Sequence, residues 1–427
     1  MVRNYYQNQV DDYRCRYDGL HHRLQILIPE VGMAGSYLVA GARTPIGKFQ
    51  GSLATMSAVD LGGIAIAAAL LGAQVTPEEV DYVFMGHVLQ AGQGQITARQ
   101  AGVKAGIPMT VPASTINKVC LSGLNTIYLA DLMIQSGEAS VVVAGGMESM
   151  TQAPYLLPGA RSGLRLGDAA LIDSMMYDGL FCAFDQCAMG LGTQRYLENF
   201  RSIDRNRQDQ IAANSHERAA KAMKDGRFAM EITPVSIPQR KGEPIVINTD
   251  EGVRPGTTPE SLAHLRPAFS AEGTITAGNA SQISDGASAL IVMSASEVER
   301  RGVTPLGQII AYGQVAGPDA SLLTQPSRAI LAAAAKASLA ISDLSLFEIN
   351  EAFAAVAAAS MKDLKISDEY VNVNGGAIAL GHPIGASGSR LALTLLLELK
   401  ARGQSYGAAA LCGGGGQGDA LIVRAIA

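Results

Sequence analysis

Two stretches of the chain repeat the same order of elements 265 residues apart, and that repetition restricts the fold more than any other feature. Ser122-Gly123 opens a helical stretch, Gly137 closes it, and Val141-Val142-Val143-Ala144 runs into Gly145-Gly146. Ser387-Gly388 opens a second helical stretch, Gly403 closes it, and Ala408-Ala409-Ala410-Leu411 runs into Cys412-Gly413-Gly414. A short, continuous apolar run of this kind fits a strand buried on both faces. Two copies are too few for a solenoid, so the pattern predicts a duplicated domain. Its pseudo-two-fold axis would bring the start of one central helix near the glycine-rich turn of the other half.

From residue 34 onward short apolar strands alternate with longer helical stretches, which places the chain in the α/β class. Tyr37-Leu38-Val39-Ala40 reads as the first strand, residues 54–72 as a helix, residues 80–85 as a strand and residues 124–136 as a helix. Residues 151–283 break this rhythm with Pro and Gly, and carry a helix over about 202–222. We expect residues 34–150 and 284–304 to form the first half, 151–283 a loop domain shaping a ligand site, and 305–427 the second half. Residues 1–33 lack core periodicity. Their four Arg are matched by four acidic residues, unlike a transit peptide, and no apolar stretch leads to a small-residue cleavage site. They read as a loosely ordered extension.

Composition removes several function classes. A net charge of −5 gives no global attraction to nucleic acid or an anionic membrane. No apolar run approaches the roughly 18 residues of a membrane span. Five cysteines, an odd and sparse count, argue against a disulfide framework and for thiols that work reduced, in the cytoplasm. Cys182 and Cys187 lack a second ligand pair at metal-site spacing, so packing is expected of them and no metal.

Three segments carry candidate chemistry. Cys120 lies in Asn117-Lys118-Val119-Cys120-Leu121-Ser122-Gly123, at the start of a helix whose exposed N–H groups favour a thiolate and lower its pKa. His382 lies in Asn374-Gly375-Gly376-Ala377-Ile378-Ala379-Leu380-Gly381-His382-Pro383-Ile384-Gly385-Ala386-Ser387-Gly388, on a loop where its ring can act as a base. Cys412 begins Cys412-Gly413-Gly414-Gly415-Gly416-Gln417-Gly418. Those glycines imitate a dinucleotide fingerprint, but a strand follows and no helix is left to receive a pyrophosphate. They suit instead a close approach of backbone N–H groups to a ligand, as an oxyanion hole requires.

Together with Asn350-Glu351-Ala352-Phe353, these segments resemble the four signatures of the thiolase family in the right order, over roughly residues 35–427. Arg43-Thr44-Pro45-Ile46-Gly47-Lys48-Phe49 and Gly145-Gly146-Met147-Glu148-Ser149-Met150 look like its structural landmarks. The resemblance implies a duplicated fold in α/β/α/β/α layers with an inserted loop domain. It implies that Cys120 accepts the acyl group, His382 takes the thiol proton, and Cys412 moves a proton at C2 of acetyl-CoA. His382 and a water held by Asn350 would stabilise the enolate, and the N–H groups of Cys120 and Gly414 the tetrahedral intermediate. Arg254 matches a family position near the CoA nucleotide, Ser281 one near the pantetheine, and Met189 and Phe353 positions lining the acyl pocket. No cofactor is implied, since acetyl-CoA, acetoacetyl-CoA and CoA are substrates or products. A dimer or a dimer of dimers is.

One departure bears on specificity. Many short-chain members carry a histidine just before the methionine matched by Met189, and here that residue is Ala188. The Gly-His-Pro-Ile-Gly-Ala-Ser-Gly run is similar to the acetoacetyl-CoA type, which favours acetyl-CoA acetyltransferase over a broad-chain 3-ketoacyl-CoA thiolase of fatty-acid oxidation. A ketoacyl synthase would carry two histidines where this chain has Asn350 and Cys412. A non-catalytic lipid-binding or scaffold protein could dispense with Cys120 or Cys412, and both are present.

Overall fold

The computed structural model describes residues 35–426, and the expected N-terminal extension lies outside them. In the first half, β1 (Ser36–Arg43), α1 (Ala58–Ala73), β2 (Tyr82–Gly86), α2 (Thr97–Lys104), β3 (Ala113–Ile116), α3 (Ser122–Gln135) and β4 (Val141–Ser149) follow in order. An inserted stretch then carries α4 (Met189–Leu197) and α5 (Arg205–Lys224) before the chain returns as β5 (Ser284–Ser294). The second half comprises β6 (Gly307–Ala316), α6 (Gln325–Ala337), β7 (Leu344–Ile349), α7 (Ala354–Leu364), α8 (Ser387–Arg402), β8 (Tyr406–Gly413) and β9 (Gln417–Ala425).

The strands run β7-β8-β9-β6-β1-β5-β4-β2-β3, with the short strand Gly47–Lys48 added to β5. The order inward from β2 in one half mirrors that from β7 in the other. Parallel pairing of β2 with β3 and β4 is matched by parallel pairing of β7 with β8 and by a parallel bridge from Phe347 to Val371. The halves join where Tyr37 and Leu38 of β1 pair with Gln308 and Gly307 of β6. The duplication read from the Ser-Gly pairs is therefore present, with α3 and α8 as its equivalent central helices.

Helices α3 and α8 share one apolar cluster with residues of both half-sheets, including Leu124 and Ile127, Leu391 and Leu395, and Leu290 and Leu421. α1 covers the first half from outside, and α6 and α7 cover the second, giving the expected α/β/α/β/α layers. Residues 387–399 of α8 are all buried, so its polar side chains need partners. Arg390 meets Glu348 at 3.1 Å, Thr394 donates to Glu231 at 2.9 Å, and Glu398 accepts from Asn374 at 2.8 Å. Arg43, at the end of β1, is buried between Asp250 at 2.7 Å and Glu231 at 2.6 Å, which pins the insertion to the first half.

Caps set the helix boundaries. The helix expected over 54–72 begins at Ala58 because Ser57 accepts the N–H of Asp60. The one expected from 202 begins at Arg205 because Asp204 accepts the N–H of Arg207.

Candidate active site

Cys120 lies in the turn between β3 and α3, two residues before the helix. Val119 precedes it at φ 51°, a strained conformation for a β-branched residue. Three contacts hold that strain. Asn117 Oδ1 accepts the Val119 N–H at 3.0 Å, the Ser122 hydroxyl donates to the Val119 carbonyl at 2.6 Å, and the Lys118 N–H donates to Ser122 Oγ at 2.8 Å. The glycine-rich turn after β8 packs against this segment, Gly413 beside Leu121 and Gly414 beside Val119. Gly415 and Gly416 sit at φ 77° and 68°, which reverses the chain into β9 without steric cost.

Cys412, next to last in β8, is buried. Burial pushes its pKa well up, and the nearby Cys120 adds to the shift. Cys120 keeps some solvent-facing surface, yet burial pushes its thiol up to about 12, helped by the charge of Glu148. Backbone N–H donation opposes the rise and is the smaller effect. The expectation that the helix terminus would lower this pKa is thus corrected: desolvation outweighs the dipole. Both thiols are neutral at rest, and proximity disfavours charging both.

His382 lies in the loop before α8, buried, and burial holds its imidazole down to about 3. Its Nδ1 is 2.6 Å from Ser387 Oγ, and its Nε2 is 3.3 Å from Nδ2 of Asn350, which directly follows β7. Among the described residues Asn350 Oδ1 is buried without a partner, an open acceptor beside the ring. The loop is anchored to the first half through Glu148. That carboxylate accepts N–H groups from Val88 at 3.1 Å, Leu89 at 3.1 Å and Gly385 at 2.9 Å, and burial raises its pKa to about 7.

A cavity of about 460 Å³ opens beside this cluster. His382, Arg254, Ser281, Met189 and Phe353 all line it. Met150, Leu180, Ile283 and Ile384 line it too, and the same residues pack with Cys120. Ser281 is fixed by its N–H donating to Ala352 at 3.0 Å, which ties its loop to the Asn350-Glu351-Ala352-Phe353 segment. Arg254 is exposed at the rim, its backbone N–H held by His216 Nδ1 at 3.1 Å. Ala188, the departure noted from the sequence, also lines the cavity. Cys182 and Cys187 face each other across a small hairpin, and among the described residues no cluster of three His, Cys, Asp or Glu is placed to hold a metal.

The residues expected to catalyse or to bind substrate therefore lie in this cluster or along its cavity. Glu148 and Ser387, which orient it, were not assigned site roles. A lone carboxylate in the apolar run of β4 was the available signal for Glu148.

The chain matches the family model for the thiolase N-terminal domain over residues 36–296 and that for the thiolase C-terminal domain over 303–425. It is 57% identical to a probable acetyl-CoA acetyltransferase of Mycolicibacterium smegmatis, over 91% of this chain and 100% of that one. It is 50% identical to an acetyl-CoA acetyltransferase of Cupriavidus necator, over 92% and 100%. The crystal structure of the Bacillus anthracis acetyl-CoA acetyltransferase superposes with a TM-score of 0.90 at 39% identity, over 92% of this chain and 99% of that one. The chain belongs to the thiolase family.

Proposed function

We propose that this protein is an acetyl-CoA C-acetyltransferase, condensing two acetyl-CoA to acetoacetyl-CoA and CoA, or running the reverse thiolysis. The observation that carries the reading is the pairing of two thiols, Cys120 and Cys412, the first close enough to raise the pKa of the second, with a neutral His382 held by Asn350 beside an apolar cavity.

In the first half-reaction the Cys120 sulfur bonds to the acetyl carbonyl carbon while its proton passes to Nε2 of His382. The bond to CoA breaks, and Cys412 gives its proton to the departing sulfur. In the second, the Cys412 thiolate removes a proton from C2 of another acetyl-CoA, and C2 bonds to the acetyl carbon on Cys120. The Cys120 sulfur then leaves and recovers its proton from His382. Neutral resting thiols suit this cycle, because each proton moves between neighbours and no lone charge persists in an apolar site. The N–H groups of Cys120 and Gly414 serve the tetrahedral intermediate, and His382 with a water on Asn350 serves the enolate. Arg254 at the rim suits a CoA phosphate, Ser281 the pantetheine, and Met189 and Phe353 a short acyl group. The cycle calls for no resident cofactor.

We place the protein in the cytoplasm, where thiols stay reduced. Among the described residues no helix is long and apolar enough to cross a membrane. We also read it as a homo-oligomer, a dimer or tetramer. Tyr155, Leu164, Leu166, Leu171, Tyr177 and Phe184 of the insertion are exposed, an apolar concentration that favours cover by a second copy.

The test is kcat/KM for thiolysis of 3-ketoacyl-CoA substrates across chain lengths, with acetoacetyl-CoA formation assayed in parallel. Acetoacetyl-CoA should be the preferred substrate by far. Equal specificity constants for a C10 substrate would favour a broad-chain thiolase, and no turnover of either would favour a binding protein.

A further inference from the structure

Asp419 is a buried carboxylate that the cycle above does not use. It lies on β9 opposite Leu411 of β8, where the next pair is Cys412 with Gly418. Both its oxygens are 2.8 Å from Nζ of Lys118, two residues before Cys120. Its Oδ2 also accepts from the Tyr312 hydroxyl at 2.7 Å. Tyr312, on β6, stacks on Tyr128 of α3 with ring centroids 4.4 Å apart and planes 10° apart. One carboxylate thus gathers the turn that carries Cys120, the helix that follows it, and the strand paired with Cys412.

Burial works against ionising Asp419, and Lys118 and Tyr312 work for it. A buried ion pair is a poor stabiliser beside apolar residues of similar volume. What it adds is a tether, since the Lys118 ammonium meets both oxygens of a carboxylate held on β9. The contact of Val119 with Gly414 fixes the same turn from its other side.

We propose that Asp419 is a positioning residue that, through Lys118, sets the register of Cys120 against Cys412 for carbon–carbon bond formation, an inference that rests on the two-thiol reading above. The half-reactions differ in their need for that register. The CoA thiolate is stable enough to leave without the proton that Cys412 supplies, so acetylation of Cys120 tolerates a displaced Cys412. Abstraction of a C2 proton does not, because the base, C2 and the acetyl carbon must be aligned together, and a misplacement of about 1 Å costs about 10²-fold.

The experiment measures both half-reactions in Asp419→Asn and in the double variant Lys118→Met with Asp419→Leu, whose apolar pair leaves no orphan charge. Acetylation by acetyl-CoA is followed by intact-protein mass spectrometry, and condensation by acetoacetyl-CoA formation. Acetylation should stay close to wild type while condensation falls about 10- to 100-fold. Tyr312→Phe, which keeps the ring stack and removes one hydroxyl, should show a smaller loss of the same kind. If both steps fall in parallel, or the folded double variant condenses at the wild-type rate, the pair is merely structural and the proposal is wrong. Should Asp419→Asn not fold, the double variant and Tyr312→Phe decide. Acetylation of wild type somewhere other than Cys120 would instead sink the two-thiol reading itself.

Discussion

Asn350 holds its amide nitrogen 3.3 Å from Nε2 of His382, and so fixes which ring nitrogen can serve as the base. On the far side of the ring, Ser387 Oγ is 2.6 Å from Nδ1 and donates its own proton to the Pro383 carbonyl at 2.9 Å. With that proton engaged, the serine oxygen accepts from Nδ1–H, and Nε2 keeps its lone pair. His382→Ala should slow acetylation of Cys120 by about 10²–10⁴-fold, the usual span for a general base. Ser387→Ala should cause a smaller loss, and Ser387→Thr should recover part of it. An unchanged acetylation rate in Ser387→Ala would show that the tautomer is set elsewhere.

Glu148 gives a prediction about stability. Removing its carboxylate in Glu148→Ala strands three buried N–H groups, those of Val88, Leu89 and Gly385. Each unsatisfied group costs about 1–3 kcal/mol, so the loss should reach about 3 kcal/mol or more in chemical denaturation. A loss under about 1 kcal/mol would mean that water or relaxation satisfies them.

These two networks mark the limit of what the sequence made legible. Cys120, His382 and Cys412 stood out because a lone reactive side chain sits among glycines and apolar residues, and Asn350 only because Asn350-Glu351-Ala352-Phe353 resembles a thiolase signature. The order of elements revealed the duplication. Tertiary partners did not announce themselves: Glu148 is 60 residues from Val88 and 237 from Gly385, and Lys118 is 301 from Asp419. The direction of the Cys120 shift was misjudged for the same reason. A helix terminus is visible locally, whereas the desolvation that overrides it comes from segments distant in the chain.

His87 provides a test by pH. Burial lowers its pKa from 6.5 to about 4. In the unfolded chain the ring takes a proton as pH falls through 6.5, while the folded ring resists until about 4. Its contribution is therefore intact above 6.5 and is lost progressively as pH falls through that window. Glu148, 3.4 Å away, has a pKa near 7 and is largely neutral there, so it offers little charge to reward the proton. In His87→Gln this titration is absent. The stability of wild type minus that of the variant should fall by about 3 kcal/mol on acidification across the window. A pH-independent difference would place the folded pKa near its ordinary value.

Gly146 tests the close approach of the halves. A Cβ there would collide with the backbone of Gly385, which has no flexible end to give way. Gly86 and Gly123 crowd the same Gly385 carbonyl. Gly146→Ala should push the His382 loop from the Cys120 turn, and either prevent folding or cut kcat by about 10²-fold, as a misplacement of about 1 Å does. A folded variant with wild-type kcat would show that the loop can shift without moving His382.

The two thiols should separate by half-reaction. Burial keeps both neutral at rest, with Glu148 adding to the effect at Cys120 and Cys120 to that at Cys412, so each must be ionised by transfer to a neighbour. Cys120→Ala should abolish the covalent acetyl-enzyme formed from acetyl-CoA. Cys412→Ala should still acetylate at Cys120, because attack needs Cys120, His382 and the backbone donors, and CoA can depart as a thiolate when the Cys412 proton is missing. It should fail to join that acetyl group to a second acetyl-CoA, lacking a base at C2, with condensation down by at least about 10²–10⁴-fold. Intact-protein mass spectrometry reads the first step and acetoacetyl-CoA formation the second. If Cys412→Ala condenses at the wild-type rate, or carries its acetyl group anywhere but Cys120, the two roles are wrongly assigned.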